Sequence, residues 1–304
     1  MTHIPRILLT GASGQVGFEL QRQLAVLGSV DAPDRQTLNL SDAQAVAAWL
    51  QATQPELIVN AAAYTAVDRA ESEAALADRL NAQLPAQLAA YTAERDAWLV
   101  HYSSDYVYPG DGETPWREDA ATNPLSVYGR SKRDGDVAVQ ASGCRHLIFR
   151  TSWVYSARGH NFMKTMLRLG REREQLRVVS DQVGAPTPAR LLAQITGWAL
   201  WRNLSGTAPL DSGIYHLAPN GFTSWQGFAC AIFTQAKALG VPLAVVPDQV
   251  LPILTTDYPT PARRPLNSRL QLDKLQHALG IQLPHWQDEL RLTLAEYVST
   301  AASG

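Results

Sequence analysis

The sequence predicts an α/β fold built on a doubly wound parallel sheet, and three observations predict it. A short apolar run near the start ends in a glycine-rich turn that opens a helix at residues 11–17. Further strand-like runs then alternate with helical patterns of ten residues or more, as parallel strands with crossover helices require. Polar residues follow several of these strands, and ligands of such sheets bind at the carboxyl ends of the strands. We therefore predict a Rossmann-type sheet with a smaller C-terminal α/β domain.

Composition bounds the function. The chain has 304 residues, with 46% apolar residues, 18% charged residues and a net charge of −2, which is typical of an ordinary globular protein and gives nucleic acid no basic surface. No apolar run is long enough to span a membrane, and the first residues lack a signal-peptide pattern. Cys144 and Cys230 are far apart and form no CxxC motif, so we predict no disulfide. We expect a cytoplasmic protein that binds neither nucleic acid nor membrane.

The first strand, predicted over residues 6–10, leads directly into the glycine turn. Gly11, Gly14 and Gly17 would allow a tight turn, a close approach to a pyrophosphate and close packing of helix on strand. The free N–H groups at the helix N-terminus would bind the anion. A glycine triplet alone fits a plain β–α turn equally well. Its position between the first strand and the first helix favours a dinucleotide site.

A second strand, predicted over residues 29–32, leads to an acidic residue at the distance expected for a dinucleotide fold. Asp34 follows Gly17 by seventeen residues and could bind the adenosine ribose hydroxyls. Arg35 could instead bind a 2′-phosphate, and Asp31 is a rival for the acidic role. Two solvated loop charges are the alternative. The sequence therefore leaves NADH or NADPH open.

Later elements bring small and polar residues to the same edge of the sheet. Ser41 and Gln44 have the spacing of a capping box and predict a helix start. The strand at residues 57–59 ends in a run of small side chains that would let the backbone lie against a flat ligand, although a buried turn would use the same residues. The strand at residues 98–102 delivers Ser104 to this edge. Residues 108–127 form a long polar loop that we predict to face substrate.

Tyr128 and Lys132 are four residues apart on the next predicted helix, which places a phenol and an ammonium on one face. A nearby cation lowers the pKa of a tyrosine and makes its hydroxyl a usable acid or base. The spacing alone arises by chance in about one such chain in eight. With the glycine turn and Ser104 it forms the set of a Ser-Tyr-Lys hydride-transfer site.

Beyond Trp153 the alternation of strands and helices weakens, which predicts a change of domain near Arg150. We predict a dinucleotide-binding domain over residues 1–150 and a substrate domain over residues 151–304. The segment 188–217 is a candidate to return to the first sheet.

Eight blocks, in order along nearly the whole chain, resemble one family. They are GASGQVG (11–17), NAAAYTAVDRAE (60–71), VHYSSDYVYPG (100–110), VYGRSK (127–132), IFRTSWVY (148–155), NFMKTMLRL (161–169), DQVGAPT (181–187) and YPTPARRPLNS (258–268). The chain thus resembles the extended short-chain dehydrogenase/reductases and, within them, the dTDP-4-dehydrorhamnose reductase family. The later blocks make the resemblance specific, because the wider superfamily does not share them.

The resemblance implies an enzyme that reduces the C4 keto group of dTDP-4-dehydro-β-L-rhamnose to dTDP-β-L-rhamnose with NADPH or NADH. Tyr128 would donate the proton, Ser104 would hydrogen-bond the carbonyl oxygen, and Lys132 would hold the nicotinamide ribose. The implied cofactor contacts are Gly11, Gly14, Gln15, Val16, Asp34, Arg35, Asn39, Leu40, Ala62, Ala63, Tyr64 and Lys132. The implied sugar-nucleotide contacts are Thr65, Val67, Ser104, Tyr106, Tyr128, Trp153, Asn161 and Arg264. Trp153 could instead be a core aromatic residue.

One departure from the family pattern concerns metal binding. Some members are dimers joined through a magnesium ion held by acidic side chains, one of which follows the Gly-Ala-Pro-Thr stretch. Arg190 stands near that position here, and Glu289 could be a second ligand. Because an arginine would displace a cation rather than bind it, we predict no structural metal. A homodimer remains possible.

Two other functions fit the same residues. The chain could reduce a different dTDP-4-keto-6-deoxysugar, using the same site with another pocket. It could also be a non-catalytic, dinucleotide-binding regulatory subunit, like the accessory subunit of methionine adenosyltransferase. An intact set of Ser104, Tyr128 and Lys132 argues against the regulatory role.

Overall fold

The computed structural model describes residues 4–302, with side chains described through residue 300, so the ends of the predicted domains, residues 1–3 and 303–304, lie outside the described residues. The strands are β1 (Arg6–Thr10), β2 (Ser29–Asp31), β3 (Leu57–Asn60), β4 (Trp98–Ser104), β5 (Arg145–Thr151), β6 (Val154–Tyr155), β7 (Leu176–Val179), β8 (Val183–Gly184), β9 (Thr187–Pro188), β10 (Gly213–His216), β11 (Thr223–Ser224), β12 (Val250–Ile253) and β13 (Asn267–Ser268). The α-helices are α1 (Gln15–Leu24), α2 (Ala43–Thr53), α3 (Val67–Ala70), α4 (Ala74–Asp78), α5 (Leu84–Glu94), α6 (Val127–Ala141), α7 (Phe162–Glu172), α8 (Ala189–Ser205), α9 (Trp225–Ala238), α10 (Asp273–Leu279) and α11 (Trp286–Ala302). A π-helical turn (Arg79–Gln83) joins α4 to α5, and 3₁₀ turns cover Asp105–Val107, Pro247–Gln249 and Thr255–Asp257.

The main sheet has six parallel strands in the order β10-β5-β4-β3-β1-β2. The chain leaves β1 for β2 on one side and then returns to place β3 on the other side. The carboxyl ends of β1 and β3 therefore flank the point where the strand order reverses, with Thr10 beside Asn60. Such a switch point is where open α/β sheets bind ligands. The predicted doubly wound parallel sheet is confirmed.

Apolar strands buried on both faces explain why helices cover both sides of this sheet. Ile7 and Leu9 face the cluster that includes α1 and α8, and Leu8 faces the cluster that includes α2 and α5. Alternate residues of one strand thus belong to two cores. No helix among residues 4–302 is long and apolar enough to cross a membrane.

The C-terminal half contributes to two cores. A second cluster forms between α7, α9, α11 and the β7–β12 pair, apart from the main sheet. However, β10 pairs in parallel with β5 and α8 packs on α1, so residues 189–216 lie with the main sheet. The division into domains at Arg150 stays a prediction.

The predicted start of α2 is wrong by one residue. The helix begins at Ala43, and Asp42 is the N-cap, whose Oδ1 accepts hydrogen bonds from the N–H groups of Gln44 and Ala45. The Ser41 hydroxyl instead donates to Oδ1 of Asn39 at 2.7 Å. Either side chain could have capped the helix, and the aspartate does.

Candidate active site

The glycine turn lies at the switch point and brings two strands' ends into close contact. Gly11 has φ +72°, and a Cβ there would lie 2.6 Å from the backbone nitrogen of Ala62. A Cβ on Gly17 would overlap the carbonyl of Gly11. Gly14 is the N-cap of α1 and makes no side-chain cap, so the first N–H groups of this helix are left for an anion. This cradle fits the pyrophosphate of a dinucleotide.

Two further residues predicted to bind cofactor open helix α1. Gln15 is the first residue of the helix, and its Oε1 accepts hydrogen bonds from Asn161 Nδ2 at 2.8 Å and Ser156 Oγ at 3.2 Å. Its side chain therefore ties the glycine turn to the segment before α7. Val16 is half-buried against the core under α1. Both residues can serve an anion through their backbone N–H groups.

The residues predicted near the adenosine differ in how many hydrogen bonds their side chains already make within the protein. Oδ1 of the exposed Asp34 accepts from the N–H groups of Gln36 and Thr37 and from the Thr37 hydroxyl, and these bonds, above all those from Thr37, lower the pKa of Asp34. Asp31 accepts from Nε1 of Trp49 at 2.9 Å. Arg35 is exposed and makes no hydrogen bond or ion pair within residues 4–300.

Asn39 and Leu40, also predicted near the adenosine, have side chains that already contact other parts of the protein. Oδ1 of Asn39 is occupied by the N–H and hydroxyl of Ser41, and Leu40 packs against the core on the α2 side. Of the five residues predicted near the adenosine, Asp31, Asp34, Arg35, Asn39 and Leu40, Arg35 has a charged side chain without a hydrogen bond or ion pair in the described part of the chain.

The segment after β3 is held by hydrogen bonds from a buried asparagine that the sequence reasoning missed. Ala62 and Ala63 are half-buried beside the glycine turn. Tyr64 is buried, and its hydroxyl donates to Glu73 Oε2 at 2.6 Å. Asn81, fully buried, accepts from the Tyr64 N–H and donates to the Tyr64 carbonyl and to Ser131 Oγ. The signal was an asparagine inside a helical pattern that is not favourable for it, here in a π-helical turn.

Ser104 and Tyr128 are brought together, as the sequence predicts. Ser104 ends β4 and caps the 3₁₀ turn at residues 105–107 by accepting from the Tyr106 N–H at 3.2 Å. Tyr128 is the second residue of α6, whose N-cap is Ser126. Gly129 lets this helix approach the turn, because a Cβ there would overlap the carbonyl of Tyr106. The Tyr128 hydroxyl lies close enough to the Ser104 hydroxyl for this neighbour to lower the pKa of the phenol.

The pKa of Tyr128 moves in the direction opposite to the prediction. Burial raises the pKa of this phenol, the nearby Ser104 hydroxyl opposes the rise, and the charge of Asp105 reinforces it. The expected lowering by Lys132 is wrong, because this lysine is not among the groups that shift the pKa of the phenol, and loss of hydration is the largest cause. The raised pKa keeps the phenol protonated at neutral pH, which is the form a proton donor needs.

Lys132 lies one helical turn beyond Tyr128 and is 2% exposed. Its Nζ donates to the carbonyl oxygen of Tyr102, on β4, at 2.6 Å. Burial lowers the pKa of Lys132 to about 8, and the charge of Asp136 opposes that shift. The ammonium is therefore still the main form at neutral pH.

Asp105 is a second side chain whose importance the sequence reasoning missed. It is 2% exposed, accepts from Ser104 Oγ at 3.0 Å, and its Oδ2 has no partner within residues 4–300. Burial raises the pKa of Asp105 to about 6 against hydrogen bonds from Ser268 and Ser104. An aspartate directly after the serine at the end of β4 was the available signal.

Several residues predicted to contact substrate surround Tyr128. Tyr106 packs edge-on against the Tyr128 ring, with 5.6 Å between centroids. The guanidinium of Arg264 hydrogen-bonds Tyr106 and pairs with Asp68 at 2.7 Å. Thr65 is exposed, and Val67, the first residue of α3, is half-buried. The carboxylate of Asp68 thus already pairs with Arg264, the arginine that is predicted to bind the anionic substrate.

Two other predicted contacts have structural partners. Trp153 has φ +48° and stacks on Trp225, with 3.7 Å between ring centroids. Asn161 is the N-cap of α7, and its Nδ2 donates to Gln15 and to the carbonyl of Ser156. The amide of Asn161 is therefore engaged in joining the two halves of the chain.

The long loop at residues 108–127 is attached to the C-terminal segment at residues 265–271. Tyr108 stacks on Trp116 with 5.1 Å between centroids, and the backbone of Trp116 bonds to Arg269 and Gln271. Gly110, at φ +74°, approaches Pro265 so closely that a Cβ would overlap it. That the loop faces substrate stays a prediction.

Arg190 joins two acidic side chains. Its guanidinium lies 3.4 Å from Glu19 and 2.8 Å from Glu296. Burial raises the pKa of Glu289, while Arg190 opposes that rise. Over residues 4–302 no group of three or more His, Cys, Asp or Glu side chains could hold a metal.

The switch-point cradle, together with Ser104, Tyr128 and Lys132 converging beside it, defines a class. These are the parts of a short-chain dehydrogenase/reductase: a dinucleotide cradle, a hydroxyl that orients a carbonyl, a phenol and a buried ammonium.

Comparison with known proteins identifies one family within this class. The family model described as "RmlD substrate binding domain" matches residues 5–299, and the chain belongs to this family. It is 48% identical to the dTDP-4-dehydrorhamnose reductase of Shigella flexneri over 97% of this chain and 99% of that one. Among solved structures, it resembles dTDP-4-dehydrorhamnose reductases from Clostridium acetobutylicum (34% identity, TM-score 0.85, covering 98% and 99% of the two chains) and from Bacillus anthracis in complex with NADP (34%, 0.85, 97% and 100%). The family resemblance read from the sequence is confirmed.

Proposed function

We propose that this protein reduces the C4 keto group of dTDP-4-dehydro-β-L-rhamnose to give dTDP-β-L-rhamnose, with NADPH or NADH as the reductant. The observation that carries the proposal is the pairing of Ser104 with Tyr128 beside a dinucleotide cradle. Relatives named for this reaction share nearly half of their residues with the chain over its full length.

The chain's residues divide the work as follows. A nicotinamide dinucleotide, which the glycine turn and Lys132 would hold, would supply a hydride to C4 of the sugar. Ser104 turns its one hydroxyl proton from Asp105 to the C4 oxygen and so orients the carbonyl. Tyr128 gives its phenolic proton to the same oxygen as negative charge develops there, and the proton is later replaced from solvent. Lys132 supplies positive charge one turn away and holds the nicotinamide ribose.

The protonation state of Tyr128 supports this assignment. Burial raises the pKa of the phenol, so the proton stays on oxygen until a stronger base forms. The alkoxide that forms at C4 is a far stronger base than a phenolate, so the transfer is downhill despite the raised pKa.

The cofactor contacts favour NADPH. Oδ1 of Asp34 already accepts three hydrogen bonds within its own turn, whereas the neighbouring Arg35 is exposed and without a partner within residues 4–300. A free guanidinium beside the adenosine ribose suits a 2′-phosphate. We therefore propose that Arg35 outweighs Asp34 and that NADPH is preferred.

An anionic sugar nucleotide needs positive charge at its site, and Arg264 is the candidate. It lies between Tyr106 and Asp68. We propose that the substrate diphosphate competes with Asp68 for this guanidinium. The protein would then act as a cytoplasmic enzyme. The homodimer stays a prediction that the sedimentation of the purified protein tests.

The alternative within enzymes is a reductase of another dTDP-4-keto-6-deoxysugar, which the same three side chains would serve. A non-catalytic dinucleotide-binding subunit is less consistent with an intact Ser104–Tyr128 pair.

A coupled assay tests the proposal. dTDP-4-dehydrorhamnose is made in situ, and the loss of NADPH or NADH absorbance is followed with the purified protein. We expect oxidation that depends on the sugar nucleotide, faster at low cofactor concentration with NADPH. Oxidation with a different dTDP-4-keto-6-deoxysugar alone would transfer the function to that substrate, and no oxidation with any of them would leave the regulatory role.

A further inference from the structure

A buried ion pair lies beside Lys132, outside the three side chains assigned to the chemistry. Asp136 follows Lys132 by one turn on α6 and is 0% exposed, and Arg150 on β5 is 3% exposed. Nε of Arg150 donates to Oδ2 of Asp136 at 2.9 Å. Taking such charges out of water is costly, and breaking a pair leaves an uncompensated charge.

The cluster has unused hydrogen-bonding capacity on both sides. Oδ1 of Asp136 is buried and makes no hydrogen bond of normal geometry within residues 4–300, although the Ser103 side chain on β4 lies close enough to lower the pKa of this carboxyl. An ammonium has three N–H donors, and Nζ of Lys132 uses one of them on the Tyr102 carbonyl. Arg150 directs its Nη1 to the Tyr108 hydroxyl at 2.8 Å. Arg150 therefore bonds one oxygen of the carboxylate, and the other oxygen belongs to the residue that lies one helical turn from Lys132.

Other titratable groups around α6 are neutral or bonded elsewhere. Burial and the charge of Lys132 hold the pKa of His101 on β4 well below its usual range, so this imidazole is neutral. Asp105 acts on Tyr128. The other charged or titratable groups on the elements packed against α6 have these partners: Asp68 with Arg264, Arg69 with Glu73, Glu71 with the Val127 N–H, Asp78 with Gln83, Arg79 with the Ser41 carbonyl, Glu94 with Arg95, Arg145 with Asp96, and His146 with the Cys144 carbonyl.

We propose that Asp136 is a positioning residue whose carboxylate, one helical turn from Lys132, keeps this lysine charged in its buried site, and that Arg150 holds Asp136 in place for this task. The consequence for catalysis rests on the proposed function, whereas the effect on Lys132 does not.

The electrostatics agree with this geometry. Burial alone drives the pKa of Lys132 downward, and the negative charge of Asp136 raises it to reach about 8. An opposite charge at such range is worth about 1–3 pKa units. Without the carboxylate, the pKa of Lys132 would fall further, and a larger fraction of the lysine would be uncharged at any given pH.

Direct titration of the lysine tests the proposal. The chain has four lysines, Lys132, Lys164, Lys237 and Lys274, so the protein labelled with ¹³C at the lysine Cε gives few NMR signals. The pH midpoint of the Lys132 signal is measured in the wild type and in Asp136→Asn. We expect the midpoint to fall by about one unit or more, a tenfold or larger change in the acid dissociation constant.

Asp134→Asn is the matched control. Asp134 lies on the same helix and pairs with Arg133 at the surface, where its side chain is 46% exposed. The same substitution there should leave the Lys132 midpoint unchanged. An unchanged midpoint in folded Asp136→Asn, or an equal shift in both variants, would overturn the proposal.

A second variant covers the case in which Asp136→Asn does not fold because Arg150 loses its partner. The double variant Asp136→Asn with Arg150→Gln removes both charges and leaves two groups that can hydrogen-bond. The Lys132 midpoint should still fall, because Asp136 is the charge that acts on the lysine. A wild-type midpoint in this variant would refute the role of Asp136.

The reductase assay then separates the two proposals. In the wild type we expect kcat to fall as pH rises through about 8, and in Asp136→Asn that alkaline limb should move to lower pH with the NMR midpoint. A merely structural role would lower stability without moving the limb. Should the midpoint shift while wild type reduces no sugar nucleotide, the proposed function fails and the role of Asp136 stands.

Discussion

Replacing Gly11 with alanine should damage cofactor binding through a backbone clash. The new Cβ would lie 2.6 Å from the Ala62 nitrogen and 2.7–2.8 Å from the carbonyl group of Ala61. Since all three contacts are backbone atoms, the ends of β1 and β3 must separate by about 0.5 Å or more. Overpacking of this kind costs about 1–3 kcal/mol, in addition to about 1–2 kcal/mol for an alanine at positive φ.

Gly143→Ala is the control that separates the steric clash from the conformational free energy of an alanine at positive φ. Gly143 has the same φ of +72°, and a Cβ there meets nothing within 4 Å. Both variants are therefore destabilised by an alanine at positive φ, and only Gly11→Ala is also destabilised by steric overlap. We expect the Tm of Gly11→Ala to lie about 2–10 °C below that of Gly143→Ala.

The cofactor readout is the quenching or enhancement of NADPH fluorescence on binding. Because the clash displaces the segment that would lie against the dinucleotide, the Kd for NADPH should rise at least about tenfold in Gly11→Ala and stay unchanged in Gly143→Ala. Equal Tm values and equal Kd values for the two variants would refute the close packing at the switch point.

Three other perturbations probe different parts of the site. Ser104→Ala should lower kcat by about 10²–10³ without changing the Kd for NADPH, and a parallel loss of binding would argue against its role in orienting the carbonyl. Arg35→Gln should weaken NADPH but not NADH in fluorescence titrations, because only NADPH carries the 2′-phosphate; an equal loss for both would remove Arg35 as the determinant. Asp105 has its pKa raised from 3.8 to about 6 by burial, so the native state keeps a proton that the unfolded state has lost, and stability falls as pH rises between these values. Urea unfolding should show a loss of about 3 kcal/mol across that window in wild type, and a slope that persists in Asp105→Asn would contradict this assignment.

The sequence carries enough to predict the sheet and to propose which side chains react, because both depend on local patterns. The glycine turn, the serine at the end of β4 and the Tyr128–Lys132 spacing are each set within a few residues, and parallel strands place them at one edge. The predicted family followed from blocks that span the chain.

The features that sequence reasoning missed depend on burial and on contacts between distant residues. Tyr128 and Lys132 have the predicted spacing, yet loss of hydration, not their mutual charge, dominates the pKa of the phenol. Asp136 and Arg150 are fourteen residues apart and meet only because α6 packs against β5. Asn81 reaches Tyr64 and Ser131 through a π-helical turn that no periodicity signals.

The segment predicted to bind the adenosine shows that contacts only a few residues apart can also be missed from the sequence. Asp34 has the spacing of a ribose ligand, and the sequence could not tell whether its carboxylate was free. In the fold Oδ1 is engaged by Gln36 and Thr37, two and three residues later. A side chain that bonds its own turn loses capacity for a ligand.

The central claim is that Tyr128 protonates a sugar carbonyl, and Tyr128→Phe tests it most directly. The measurement is single-turnover oxidation of bound NADPH by dTDP-4-dehydrorhamnose, with Tyr215→Phe as control, since the Tyr215 hydroxyl is bonded to the Asp211 carbonyl in another part of the fold. We predict a rate about 10²–10⁴ below wild type for Tyr128→Phe with an unchanged Kd for NADPH, and a wild-type rate for the control. A wild-type rate in Tyr128→Phe would contradict the account.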